Sequence, residues 1–284
     1  MTPKRKIVDS QIHLWENPGG PPVHWPRFTY PEAIAAMDEA GVDLAIDCPP
    51  IWDDDANTYA ERAHLAHPER FLIHGWVDLL RPDSLERLRA CKSVKGLIGL
   101  RFLTASPAAP ADPGSTLSRI RWPDDNSLDW FWTETERLGL PLAVCGHALL
   151  PHVQKQATLH PDLKITLDHF GSITMAKGSG LEQLPGLLSL ARLPNVAIKL
   201  TAAPSYATDG YPYASLHEPI KRLYDAFGPQ RLFWGSDVTR LPGTWGECVT
   251  MFTEEMPWLS SEDLDLIMGK AFCDWHGISR DGRG

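Results

Sequence analysis

Eight short runs of β-branched and apolar residues, each followed by a stretch with helical spacing, constrain this chain more than any other feature of it. The runs are Lys6–Asp9, Leu44–Cys48, Phe71–Val77, Gly96–Phe102, Pro141–Cys145, Lys164–His169, Val196–Leu200 and Leu232–Asp237. Each is mostly continuous in its hydrophobicity, which is how a strand covered on both faces reads. Helices are predicted over Pro31–Ala40, Asp55–His67, Pro82–Cys91, Ser127–Leu138, Leu149–His160, Leu181–Ala191, Leu216–Phe227 and Ser261–Trp275. The first opens on the capping box Thr29-Tyr-Pro-Glu32 and closes at Gly41. Eight such pairs within 284 residues predict an α/β chain of the (β/α)8 TIM-barrel class, with one domain over residues 1–284. A doubly wound sheet is the alternative, but the GxGxxG that should follow its first strand is missing.

Charge and composition narrow the function. Against 36 Asp+Glu stand 27 Lys+Arg, a net charge of −9, which argues against a nucleic-acid partner because phosphate binding needs a basic face. No run approaches the ~18–20 apolar residues that span a bilayer. Lys4, Arg5 and Lys6 have no apolar stretch behind them, so no signal peptide is expected. Cys48, Cys91, Cys145, Cys248 and Cys273 are odd in number and show no CxxC spacing, as expected of a reduced, cytoplasmic chain. The expected partner is a small-molecule substrate, with no nucleic acid and no membrane; a homo-oligomer is left open. Three connections, Asn17–Phe28, Leu103–Asp125 and Ala202–Tyr213, are long and follow strands one, four and seven. That is the barrel face where active sites are built.

Polar residues at strand ends are therefore the candidates for chemistry. Period-two alternation puts Asp9, Gln11 and His13 on one face at the barrel mouth. Strand four ends at Arg101, strand five in Cys145-Gly-His147, strand six in Asp168-His169-Phe-Gly171 and strand eight in Gly235-Ser-Asp237; strand seven supplies Lys199, with Thr201 just after it. Each has a plain alternative. A strand-end histidine is often only hydrogen-bonded in place, Asp237 could cap the next helix, and Arg101 could be a buried ion-pair partner. The convergence of His13, Arg101, His169 and Asp237 favours chemistry, because ionisable groups crowded into one pocket are costly unless used. His64, His67, His152 and His160 fall on predicted helices as surface or packing residues, and His74 as a satisfied core histidine. Trp15, Trp25, Phe28, Trp122 and Tyr206 are placed where they could line a pocket.

Asp9-Ser-Gln-Ile-His-Leu-Trp, Gly-Trp-Val-Asp78, Gly-Leu-Arg101-Phe, Leu-Asp-His169-Phe-Gly, Ile-Lys199-Leu and Phe-Trp-Gly-Ser-Asp237 follow one another in an order that resembles the amidohydrolase superfamily. More narrowly, the chain is similar to the lactonase-rich amidohydrolase 2 branch, which includes 2-pyrone-4,6-dicarboxylate lactonases, sulfomuconolactone hydrolases and fuconolactonases. The resemblance runs from Val8 to Trp275. It implies that Gln11 and His13 occupy the family's His-x-His positions, and that Arg101 grips a substrate carboxylate. It further implies that His169 is the strand-six histidine, that Asp237 activates water, and that His147 is a further strand-five histidine. Gln11 is the departure. An amide is a poor substitute for imidazole at a divalent ion, so no metal is favoured. If one is held, it is a single weakly bound zinc on His13, His169 and Asp237.

The chemistry expected from this resemblance is hydrolysis of a lactone or related activated ester of a small carboxylate-bearing substrate. Asp237 would take a proton from the attacking water, while His13, His169 and the Gln11 amide would donate to the oxyanion. Lys199 and Trp25 are further candidates for substrate binding. The alternative is a metal-dependent non-oxidative decarboxylase of an aromatic or unsaturated carboxylic acid, which Gln11 disfavours. A non-catalytic binding barrel would fill its strand ends with apolar residues, and this chain does not.

Overall fold

The computed structural model describes residues 5–17, 25–53, 55–103, 126–146, 150–171, 177–178 and 184–282. All eight expected strands form, as β1 (Val8–Ile12), β2 (Leu44–Asp47), β3 (Phe71–Gly75), β4 (Leu97–Leu103), β5 (Leu142–Cys145), β6 (Ile165–Leu167), β7 (Val196–Thr201) and β8 (Leu232–Gly235). They pair in parallel, in sequence order, into one sheet. The last gap is bridged between β8 and β1. The Asp237 amide donates to the Gln11 carbonyl at 2.9 Å, and the buried Asp9 carboxylate accepts from the Ser236 amide at 2.9 and 3.1 Å. The result is a nearly closed (β/α)8 barrel.

Helices α1 (Tyr30–Ala40), α2 (Ala56–Ala66), α3 (Ser84–Ala90), α4 (Asp129–Leu138), α5 (Leu150–Leu159), α6 (Leu184–Ser189) and α7 (His217–Phe227) follow β1 to β7 in turn. Left-handed Gly41 and Gly139 end α1 and α4, a conformation that glycine adopts without steric cost. The eighth helix differs from expectation. It is α8 (Trp245–Thr253), opened by a capping box between Thr244 and Glu247, and the predicted Ser261–Trp275 helix is an additional C-terminal element. That element divides into α9 (Ser261–Asp265), a π turn (Leu266–Lys270) and α10 (Ala271–His276).

The C-terminal element closes the end of the barrel opposite the strand C-termini. Ala271, Phe272 and Cys273 pack with Val8, Leu44, Ile46, Leu72, Ala197 and Phe233 in a cluster separate from the main helix–sheet core. Gly269 permits the approach, since its φ is +153° and a Cβ there would lie 2.8 Å from the Val8 Cβ. Above this plug the interior turns polar. His74 on β3 is buried with Nε2 3.0 Å from His276 Nε2, and a Cβ at Gly99 would come within 3.0 Å of the same imidazole. The Nδ1 of His74 has no hydrogen-bond partner, so the histidine expected to be satisfied is only half so.

Strand one also departs from simple alternation. Its register with β2 shifts between Asp9 and Ile12, and such a bulge re-aims side chains. Asp9 therefore does not share the site face with Gln11 and His13; its carboxylate also accepts from the Trp245 indole of α8 at 2.9 Å. Of the long connections, residues 18–24 and 104–125 lie outside the described residues. No helix among the described residues is long and apolar enough to cross a membrane.

Candidate active site

Three neighbouring strands end in left-handed residues that are not glycine: His169 after β6 (φ 52°), Ala202 after β7 (φ 55°) and Asp237 after β8 (φ 51°). Each such residue costs about 1–3 kcal/mol, and strain of this kind gathers at functional sites. At Asp237 the strain has a visible result. The side chain does not cap the turn that follows, which removes the capping alternative. Its carboxylate is fully buried, and neither oxygen has a hydrogen-bond donor. Around it stand His13 Nε2 at 3.4 Å, His169 Nε2 at 3.6 Å and Arg240 Nη1 at 3.6 Å.

The two histidines carry their protons differently. His13 Nδ1 is bonded to the Cys48 carbonyl, and a carbonyl only accepts, so Nδ1 is protonated and Nε2 presents a lone pair toward Asp237. The expectation that His13 donates to an oxyanion is corrected on this ground. Burial, with the Arg101 charge behind it, lowers its pKa to about 3, so the ring is neutral. His169 is reversed. The Thr201 hydroxyl accepts the His169 backbone amide at 3.1 Å and lies 2.8 Å from Nδ1. The Gln11 amide oxygen accepts from Nε2 at 2.9 Å, so Nε2 carries the ring proton and Nδ1 takes the hydroxyl proton of Thr201. Burial holds this histidine well below its usual pKa as well.

Gln11 joins the two sides. With its amide oriented so that both ends are satisfied, its oxygen accepts from His169 Nε2 at 2.9 Å and from Arg101 Nη2 at 3.1 Å, and its nitrogen donates to Asp168 Oδ2 at 3.1 Å. Asp168 is a residue to which the sequence pattern assigns no role. It receives Arg101 Nε at 2.7 Å and faces Lys199 Nζ at 3.2 Å, all three groups being buried. Arg101 and Lys199 therefore sit at their expected strand ends but are turned to Asp168. A buried carboxylate is retained only when paired, and here two cations pair it. This is the plain ion-pair alternative for Arg101, made through Nε, with Nη2 on the Gln11 oxygen. The Lys199 side chain is wholly enclosed, as are those of His169 and Asp237, and its ammonium is turned to Asp168.

Trp25 is exposed, edge-on to Phe28 at 5.0 Å, and so remains available at the rim. Trp15 and Tyr206 are not; both are fully buried, and the Tyr206 hydroxyl is bound to the His169 carbonyl at 3.3 Å. Aromatic content in a loop cannot distinguish a pocket wall from a loop core, which is why sequence misplaces both. His147 and Trp122 lie outside the described residues. Thr201 is legible by its parity with Lys199, and Arg240 as one of three arginines, with Arg119 and Arg121, that the sequence offers for a second substrate carboxylate; the other two lie outside the described residues.

A buried carboxylate flanked by one accepting and one donating imidazole, at the C-terminal mouth of a (β/α)8 barrel, defines a hydrolytic barrel enzyme. The chain belongs to the amidohydrolase family, whose sequence profile, described as Amidohydrolase, matches residues 8–263. It is 32% identical over 242 residues to the 4-sulfomuconolactone hydrolase of Hydrogenophaga intermedia, an alignment that covers 81% of this chain and 73% of that one. Over 103 residues, 34% of each chain, it is 35% identical to the L-fucono-1,5-lactonase of Burkholderia ambifaria. Solved structures share the fold at lower identity. A probable 2-pyrone-4,6-dicarboxylic acid hydrolase of Acinetobacter baumannii gives a TM-score of 0.73 at 16% identity, covering 96% of this chain and 100% of that one. A zinc-bound amidohydrolase of Burkholderia multivorans gives 0.71 at 20% identity, with 96% and 100% covered. The 2,6-dihydroxybenzoate decarboxylase of Rhizobium gives 0.70 at 13% identity, with 96% and 99% covered.

Proposed function

We propose that this chain hydrolyses a lactone, or a related activated ester, of a small carboxylate-bearing acid. The observation that carries the reading is the Asp237 carboxylate, buried without a hydrogen bond and facing His13 Nε2 and His169 Nε2. A water placed against Asp237 finds two acceptors, one carboxylate oxygen and the His13 lone pair, which together orient its oxygen for attack. One water proton passes to Asp237 as the oxygen bonds to the lactone carbonyl carbon. The His169 Nε2–H, held at rest by the Gln11 oxygen at 2.9 Å, turns from that oxygen to the oxyanion as it forms. When the ring C–O bond breaks, the proton on Asp237 passes to the departing oxygen, leaving an open hydroxy acid. Two cations, Arg101 and Lys199, surround one anion, Asp168, and this excess of positive charge beneath His169 favours negative charge developing above it.

The family uses divalent ions in other members, and a zinc-bound relative is known. The donors here do not fit one. His169 Nε2 carries its proton to Gln11, and Gln11 offers a neutral amide at the position of a second imidazole. Among the described residues no three His, Cys, Asp or Glu side chains are grouped to hold an ion. No step is therefore routed through a metal.

The test is turnover of a panel of five- and six-membered lactones, with and without a carboxylate, followed by acid release before and after prolonged chelation. Lactone opening that survives the chelator is expected. Stoichiometric zinc or manganese, with activity lost on chelation and regained with that ion, overturns the metal-free reading. Decarboxylation of a hydroxybenzoate without lactone opening overturns the hydrolase itself.

A further inference from the structure

Arg101 gives Nε to Asp168 and Nη2 to Gln11, and Lys199 faces Asp168, so a carboxylate-bearing substrate gains from a further cation beside Asp237. Arg240 stands in that place. It closes the short turn after Asp237, its amide donating to the Asp237 carbonyl at 3.0 Å, and Ser205 of the preceding loop fixes its carbonyl at 3.2 Å. Its side chain is 15% exposed, Nη1 lies 3.6 Å from Asp237 Oδ2, and Nε has no acceptor. That distance is too long for a hydrogen bond, so the guanidinium faces the catalytic carboxylate without being saturated by it. On its other side Arg240 lines a pocket of about 550 Å³ between the loops after β7 and β8, shared with Lys177 and Tyr213. Two acids, Asp209 and Glu247, also line this pocket and match its two cations in formal charge, but both are turned to donors of their own segments. Asp209 accepts from the Ser215 amide and hydroxyl at 3.0 and 2.6 Å, and Glu247 accepts from the Thr244 amide at 2.8 Å. No described residue pairs with Lys177.

We propose that Arg240 binds the carboxylate of the lactone substrate in this pocket, and so sets the preference for acidic lactones. The inference rests on the lactonase reading for its substrate and on the position of Arg240 for its content. A guanidinium offers five N–H donors in a plane. One edge can keep Asp237 in place while another takes the substrate carboxylate, holding the ring carbonyl at a fixed offset from the water on Asp237. Lys177 adds a second positive charge on the same pocket.

The test compares wild type with Arg240→Met and Arg240→Lys on two lactones. One is the γ-lactone of α-hydroxyglutarate; the other is γ-valerolactone, which carries a methyl where the first carries its carboxylate. Because Arg240 also faces Asp237, some loss on both is expected, so the readout is the ratio of the two kcat/KM values. It should fall about tenfold or more in Arg240→Met, mostly through KM, and recover in part in Arg240→Lys. Calorimetric binding of α-tetrahydrofuroate, which has no bond to hydrolyse, should weaken about tenfold in Arg240→Met. An unchanged ratio with unchanged α-tetrahydrofuroate binding overturns the proposal, leaving Arg240 to act only through Asp237. A wild type that opens neither lactone, yet binds α-tetrahydrofuroate in an Arg240-dependent way, upholds the anion site and rejects the lactonase reading.

Discussion

At Asp237 the chain keeps a carboxylate out of water, in a left-handed backbone conformation, without one hydrogen-bond donor on it. Neither burial nor strain is repaid by stability, which is what the proposed role of these oxygens toward a ligand requires. Asp237→Asn keeps the shape and removes the proton acceptor. It is expected to lower kcat by at least ~100-fold with a smaller effect on KM, and to leave thermal unfolding at or above the wild-type temperature. Steady-state kinetics on the best lactone, paired with calorimetry, checks both. Retention of near-wild-type kcat removes Asp237 from its role. His13, His169 and Asp237 are legible in the amino-acid sequence alone, because a strand end fixes where a side chain must point. The tautomers are not. They depend on a carbonyl just after β2 and a hydroxyl of β7 that only the closed barrel brings to each ring.

Among elements, the strands are readable because each is apolar on both faces, and their bounds differ from expectation by only a few residues. Helix α8 escapes a reading by pattern although Thr244 and Glu247 spell its capping box. Its Trp245, Cys248, Val249 and Phe252 do form a stripe at helical spacing, but it spans only nine residues, and the longer Ser261–Trp275 pattern takes its place. The misassignment matters because α8 holds the seam of the barrel. Its Trp245 indole donates to Asp9 at 2.9 Å, and Asp9 in turn accepts from Ser236 on the far side of the gap. Trp245→Phe preserves an aromatic ring and deletes that donor. It is expected to destabilise the fold by about 1–3 kcal/mol, the cost of a buried acceptor left one bond short, read as a shift in the urea midpoint with unchanged slope. No shift would mean that the seam is held by backbone alone.

For the molecule as a whole, burial sets how stability responds to acid. His13 and His276 are lowered to about 3, chiefly by burial, and His74 and His169 are held well below their usual values for the same reason. Below the unfolded pKa of about 6.5, the unfolded chain takes up protons at these four rings that the folded chain refuses. Their contribution to folding stability is therefore fully present above about pH 6.5 and declines as pH falls. Asp9, raised to about 6, and Asp47, raised well above its usual range, act in the opposite sense. Two carboxylates against four imidazoles leave the net slope positive, at about 1.4 kcal/mol per pH unit for each imidazole in excess. Urea unfolding at pH values of about 7.5 and 5.5, on either side of the histidine range, should show the loss, and His276→Gln should flatten it. The same pH dependence in wild type and His276→Gln would refute the neutral His74–His276 pair.

The seam between β1 and β8 has a consequence for how the protein is made. Asp9 meets its partners Ser236 and Trp245 only across intervals of 227 and 236 residues. On a ribosome, the first seven strands emerge with no partner for the free edge of β1 and no plug for the interior. That nascent sheet offers open edges and an uncovered apolar layer around Val8, Leu44 and Leu72 for capture by other chains or by chaperones. The barrel closes only once β8 and the element that packs beneath it have emerged, and chaperone demand during synthesis should therefore track the emergence of residues 232–276.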